Sequence, residues 1–339
     1  MSFIRRRPYP ITIGLLVGAF VLSIALGAVP IPPGNALRIL LNKLPWFEFS
    51  PEWPQYFAAI LWEIRIPHTI LVALTGAALG GSGAAFQGLF RNPLADPYLI
   101  GVASGAGLGA IALMALPWVG EYLIPLGAFL GAITTIFSVY SLARVGKMVP
   151  LTTLILAGVA IGSLTSAATS LIIMLTENVV HQALTFLYGG SVVAGWEPIK
   201  IAIPYFLSGL ILLSISGHTL NVLQFGEEQA QQLGLPVERI KIMIIFAASL
   251  TTAAAVSFSG VIGFVGLVVP HIIRLIWGGD YRKLIPLSIL GGGLTLLISD
   301  LAARIILAPQ TLPVGIVTAM LGAPFFLWIL RRAKKEVFW

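Results

Sequence analysis

Residues 83–105 read GAAFQGLFRNPLADPYLIGVASG: an apolar run, a short polar turn and a second apolar run. Pro93 and Pro97 carry no backbone donor, and each disfavours helix at the residue before it, so 92–96 cannot continue a helix. Asn92 and Asp96 are residue types that satisfy the backbone groups of their own turn. The flanking stretches 66–90 and 97–120 contain no Asp, Glu, Lys or Arg. At about 1.5 Å per residue, each is long enough to cross a hydrocarbon layer roughly 30 Å thick. The segment reads as a tight inner-face turn between two membrane-spanning helices.

The rest of the chain repeats that pattern. Charge-free stretches also cover 8–37, 122–143, 148–176, 178–196, 201–226, 242–273, 284–299 and 305–330. Of the 339 residues, 58% are hydrophobic and 10% charged, which excludes a large aqueous domain. As one helix, 242–273 would be roughly 48 Å long. Gly260, Gly263, Gly266 and Pro270 interrupt it, so it splits near Ser259-Gly260. Run 178–196 is diluted by Asn178, His181, Gln182 and Gly189-Gly190, and reads as a short helix at or outside the membrane. The expected fold is all-α and polytopic, with about ten transmembrane helices in a single domain over 1–339. Asn35 is expected to cap an interfacial helix over 36–44.

An even number of spans agrees with the basic segments at both ends, Arg5-Arg6-Arg7 and Arg331-Arg332 with Lys334-Lys335, and puts both termini in the cytoplasm. This topology places 15 of the 20 Lys and Arg on the inner side, so the net charge of +7 marks orientation and gives no sign of nucleic acid. A rival in which 178–196 spans and 242–273 stays whole also gives ten helices, and charge bias does not separate the two. Trp46, Trp53, Trp62, Trp118 and Trp196 fall near outer ends, and Trp277, Trp328 and Trp339 near inner ones.

Chemistry on the chain itself is excluded by what is missing. There is no Cys, and the nearest approach to a phosphate-binding loop, Gly146-Lys147, continues with Met148. The four His (68, 181, 218 and 271) have no ligand spacing. No metal or cofactor is expected to bind this chain, and it is not expected to be an enzyme. Asp300 is a deep acid, with Arg304 one turn on. Such a pair is either mutually neutralising or a coupling site, so an ion-coupled secondary transporter using Asp300 or Glu63 is the alternative function. Small residues four apart (Gly76/Gly80, Gly105/Gly109, Gly127/Gly131, Gly158/Gly162) read as helix-packing positions.

The run from Arg65-Ile-Pro-His68 through Gln87-Gly-Leu-Phe-Arg-Asn-Pro-Leu-Ala-Asp-Pro97 to Gly101 resembles the permease subunits of ABC importers for iron–siderophores, haem and vitamin B12. Ser259-Gly-Val-Ile-Gly-Phe-Val-Gly-Leu-Val-Val-Pro-His271, Asp280-Tyr-Arg282, Asp300-Leu-Ala-Ala-Arg304 and the run from Leu312 to Phe326 resemble the same family independently. The resemblance implies a ten-span permease of the inner membrane that forms a homodimer around an axial path. ATP and Mg would bind two separate ATPase subunits, and an extracytoplasmic solute-binding protein would deliver a ferric siderophore, haem or vitamin B12, the first being favoured.

By the same resemblance, 217–241 is a cytoplasmic coupling loop. Its ATPase contact would be made by Gly226, Glu227, Glu228, Gln229, Ala230, Leu233 and Gly234. Acids at that helix start and Gly at its end suit a short helix whether or not a partner is present. Arg65, His68 and Arg304 map to binding-protein docking, His68 departing from the Arg expected there and losing its permanent charge. Asn92, Leu94, Thr152 and Thr153 map to the gate of the translocation path. Asn92 equally suits turn capping, and Thr152-Thr153 a helix N-terminus.

Overall fold

Seven helices among the described residues are long and apolar enough to cross a membrane, and three shorter apolar ones accompany them. The structure, a computed structural model, describes residues 7–27, 29, 31–43, 46, 53–146, 148–190 and 195–337. Arg5 and Arg6, Lys147, Trp339 and the part of run 178–196 at 191–194 lie outside the described residues. In chain order the helices are α1 (Pro8–Ala25), α2 (Pro33–Leu41), α3 (Gln55–Leu89, with a π-turn at Ile60–Arg65), α4 (Val102–Met114), α5 (Ile124–Ala143), α6 (Leu151–Leu175) and α7 (Val180–Leu187). Then follow α8 (Trp196–Ile215), α9 (Gly217–Leu223), α10 (Glu227–Gln232), α11 (Val237–Ser259), α12 (Val265–Trp277), α13 (Tyr281–Ile306) and α14 (Val314–Val337).

The split of 242–273 is present: α11 ends at Ser259, the chain turns through left-handed Gly260 (φ 71°) and Phe264 (φ 70°), and α12 begins at Val265. Run 178–196 forms the short α7, which docks on that break. Val261 N–H donates to the Phe186 carbonyl (2.9 Å) and Gly315 N–H to that of Tyr188 (2.9 Å). One expectation is corrected. The interfacial helix starts at Pro33 rather than Ala36, so Asn35 lies inside its first turn and does not cap it. The reason is the fixed φ of proline, which suits the first helical position.

The molecule is built around α3, which packs against α8, α11, α12 and α13. Its glycines make this possible. A Cβ at Gly76 would collide with the Gly292 carbonyl of α13, one at Gly80 with that of Ser288, and one at Gly83 with that of Gly266 in α12. Gly105 and Gly109 of α4 meet Gly131 and Gly127 of α5 in the same way. In hydrocarbon the lipid tails are as apolar as Leu, so close backbone packing has to supply what the hydrophobic effect cannot. Hydroxyls add cross-links: Thr75 pairs with Ser259 (2.7 Å), and Ser82 donates to the Ala248 carbonyl (3.1 Å).

Gly109→Val should therefore lower folding stability by about 1–3 kcal/mol or more, because the obstructing atoms are backbone. Gly14→Val, where nothing lies within 4 Å, should stay within about 0.5 kcal/mol. Thermal unfolding of the two purified variants in detergent checks the difference.

Candidate functional site

At the end of the bundle where α1 and α13 finish, five polar side chains converge. His68 Nε2 lies 2.9 Å from Asp300 Oδ1, and Arg304 Nε donates to Asp300 Oδ2 at 2.9 Å. Arg304 Nη2 also donates to Ser23 Oγ (2.6 Å), and its guanidinium reaches the Ser23 carbonyl (3.3 Å). Arg65 Nη1 donates to the carbonyls of Ile24 and Ala25, each at 3.0 Å, and Nη2 donates to that of Val29. The last carbonyls of a helix have no intrahelical donor, and two arginines supply them for α1.

The Arg65 side chain is buried, 5% exposed, and its guanidinium is bonded to the end of α1. His68 and Arg304 border a cavity of about 440 Å³, together with His181, Thr185, Asp300 and Thr311. Glu63 is exposed and takes no part in the cluster. Among the described residues no group of His, Asp or Glu is arranged to hold a metal ion.

At the opposite end, the 90–101 turn is held as its sequence demands. Leu94 N–H donates to Asn92 Oδ1 (2.9 Å) and Tyr98 N–H to Asp96 Oδ1 (2.8 Å), so both side chains close local turns. Asn92 is exposed and Leu94 partly buried. Tyr98 reaches from the turn to the helix break, its hydroxyl donating to the Ile262 carbonyl (2.9 Å) and accepting from Ile262 N–H (3.2 Å). Burial pushes the Asp96 carboxyl up to about 6, against the opposing hydrogen bond from Tyr98 N–H. Burial and the neighbouring Asp96 push the Tyr98 hydroxyl up, which keeps its proton in place. The turn bears on α6 where Gly158 meets the Leu99 carbonyl, with no room for a Cβ. Thr152 is exposed and Thr153 partly buried in the first turn of α6.

The expected coupling segment is helical over Glu227–Gln232, entered through Gly226 at φ 118° and left through Gly234 at φ 85°. Ala230 is fully buried, whereas Leu233 is 69% exposed, large and apolar on a polar turn. Gln224 Nε2 donates to the Gly88 carbonyl at the end of α3 (2.9 Å). Asn221 Nδ2 donates to Asp280 Oδ1 (2.6 Å), and Tyr281 N–H to Asn221 Oδ1 (2.8 Å). Hydrogen bonds from Arg282, with further help from Asn221, hold the Asp280 carboxyl well below its usual range.

Sequence reasoning missed Lys241, a buried cation at 2% exposure, whose one visible signal was Glu238 three residues before it. It also missed the bond from Tyr98 to the break, which no spacing reveals because 164 residues separate the partners.

These features, a bundle of short and long apolar helices, a broken helix at 260–264 and a polar helix at 227–232 outside the spans, coincide with a match to the FecCD transport family over residues 15–332. The chain belongs to that family. It is 42% identical to an uncharacterized ABC transporter permease protein, YvrB, of Bacillus subtilis, over 98% of this chain and 95% of that protein. It is 40% identical to the cobalamin import system permease protein BtuC of Halobacterium salinarum, over 96% and 90%. A solved structure described as an inward-facing conformation of a metal-chelate type ABC transporter superposes with a TM-score of 0.79 at 27% identity, covering 94% of this chain and 97% of that one. The chain is thus a multi-pass, non-catalytic ABC transporter permease, with ATP hydrolysis on a separate subunit.

A carboxyl whose folded pKa lies above its unfolded value supports folding at low pH and ceases to as pH rises through the folded value. Asp96→Asn should therefore gain about 1 kcal/mol on the parent between pH 5 and 7.5, measured as the difference between their unfolding free energies. Arg65→Met, which leaves two helix-end carbonyls without their donor, should cost about 1–3 kcal/mol in the same assay.

Proposed function

We propose that the chain is the permease of a binding-protein-dependent importer that carries a metal chelate or corrinoid into the cytoplasm. It would act as a homodimer with two ATPase subunits and an extracytoplasmic solute-binding protein, in the cytoplasmic membrane with both termini inside. The observation that carries this reading is the exposed face of α6. Only 17% of its most apolar window is buried, and Thr152, Ser163, Ser166 and Ser170 share one exposed face with Leu156 and Val159 at helical spacing. Ser163 and Ser170 return their protons to the carbonyls four residues before them (2.8 and 3.0 Å), so the hydroxyls on this mixed face demand neither water nor charge. Such a mixed, uncharged surface would suit the wall of a passage.

The cargo class draws on named relatives. One at 40% identity is a cobalamin import permease and one at 39%, from Yersinia pestis, is a hemin transport permease. A third, from Escherichia coli and 35% identical, is a Fe(3+) dicitrate transport permease. Their shared element is a metal held by an organic cage, and a ferric siderophore is the member of that class proposed first. Glu227, Glu228, Gln229, Ala230, Leu233 and the flanking Gly226 and Gly234 would seat in the ATPase. Asn92, Leu94, Thr152 and Thr153 would form the gate. Binding-protein docking would fall to Arg304 and His68 on the cavity rim, with Arg65 holding the α1 end behind them.

The ion-coupled alternative is weakened by the contacts that Asp300 already makes. Asp300 is 5% exposed and its two oxygens contact His68 and Arg304, which leaves neither of them free for a transported cation.

Uptake into proteoliposomes carrying the permease, its ATPase and its binding protein tests both readings. Import should require ATP, persist when proton and sodium gradients are collapsed, and follow the one chelate among ferric siderophore, haem and vitamin B12 that the binding protein retains. Alanine across 227–233 should lower transport per ATP on the order of tenfold. Gradient-driven uptake without ATP would overturn the proposal.

A further inference from the structure

Lys241 is the buried cation that the apolar packing leaves unexplained. It sits in the second turn of α11 with its side chain 3% exposed. Its Nζ donates to Glu227 Oε2 of α10 at 3.0 Å and to Glu238 Oε1 at 2.8 Å. The second oxygen of Glu238 leaves the pair: Oε2 accepts from Val149 N–H at 3.1 Å. Val149 is fully buried, and Pro150 and α6 follow it directly. One continuous run of charge-assisted bonds therefore joins the first residue of α10 to the entry of α6.

We infer that Glu227, Lys241 and Glu238 are positioning residues that transmit displacement of α10 to α6. This rests on the reading above of α10 as the ATPase contact and α6 as the passage wall. Three features set the relay apart from ordinary anchoring. First, a cation removed from water and held by two carboxylates is costly to separate from either, so it resists stretching where apolar contacts would slip. Second, Glu238 uses both oxygens on different elements, so neither bond adjusts without the other. Third, the segment leading into α10 is tied, among the described residues, to the buried bundle. Gln224 reaches the Gly88 carbonyl and Asn221 reaches Asp280, which are the ends of α3 and α13. Among the described residues, the α6 link is thus the bond that leads from this segment to a helix whose most apolar stretch is only 17% buried in the protomer.

The chemistry supplies a selective variant. A carboxylate offers two acceptors and an amide only one. Glu238→Gln must therefore turn an N–H donor toward either Lys241 Nζ or Val149 N–H, while volume is conserved. The chain contains no Cys, so Leu156→Cys, on the exposed face of α6, supplies a single spin-label site per protomer.

In the reconstituted complex, Glu238→Gln should retain the ATPase and hydrolyse ATP within about twofold of the parent, while cargo moved per ATP falls on the order of tenfold. The ATP-induced change in the distance between the two Leu156 labels should disappear with it. Lys241→Met should do the same, and Lys241→Arg should restore both readouts. If Lys241→Met does not assemble, Glu238→Gln carries the test. Normal stoichiometry and normal label movement in Glu238→Gln would overturn the relay, and so would a lowered unfolding temperature as the sole effect. In either case, alanine across 227–233 still uncoupling transport would leave the coupling-helix reading standing. Normal transport in those alanine variants would remove both.

Discussion

Close approach of bare backbone along α3 is the contact on which the other parts of the molecule depend. Water-driven burial does not hold helices together inside lipid, and each Cβ missing from Gly76, Gly80 and Gly83 lets a carbonyl of α13 or α12 come near. That brings Gly266 beside Gly83, so that Gln87 reaches the Leu267 carbonyl (3.1 Å) and α12, the second half of the broken helix, is fixed against α3. The break itself then exposes backbone groups within the bundle, where they need protein partners. Phe186 and Tyr98 provide them, one from α7 and the other from the 90–101 turn. The turn, the short helix and the break thus form one connected unit, even though they are far apart in sequence.

Charge is treated the same way at both ends. One cluster groups Asp300, His68 and Arg304 with the end of α1, and the other groups Glu227, Lys241 and Glu238 with the start of α6. In each case a cation meets both a carboxylate and, directly or through it, a helix end with spare backbone capacity. Between the clusters, the buried polar groups of α3 and α11 are neutral hydroxyls and amides. A chain with 10% charged residues has few to place, and those at the two ends serve as fixings between helices.

Much of this was legible in the residues. Prolines bracketing 92–96 gave the turn, charge-free runs gave the spans, and Gly260 gave the break. Gly226 and Gly234 bounded the polar helix correctly because glycine at positive φ is a local requirement. The parts that escaped are those set by distant partners. The bonds of Arg65 stay hidden until α1 is seen to end beside it, and Asn35 reads as a cap until Pro33 is seen to start the helix earlier. Lys241 lies in the 217–241 stretch, where a lysine suggests water. Its burial depends on Glu227 folding back across the 233–236 turn, which no periodicity encodes.

The exposed face of α6, where hydroxyls stand among apolar side chains, has a consequence of symmetry. In the homodimer proposed above, every group on that face recurs across a two-fold axis, so the wall is composed of repeated pairs. A ferric siderophore or a corrinoid has no such axis. A two-fold wall cannot match both halves of an asymmetric solute at once, so uncharged hydroxyl and apolar groups that fit any orientation moderately are the workable lining. Telling one chelate from another then falls to the component present as a single copy, the one protein in the assembly that is itself free to be asymmetric.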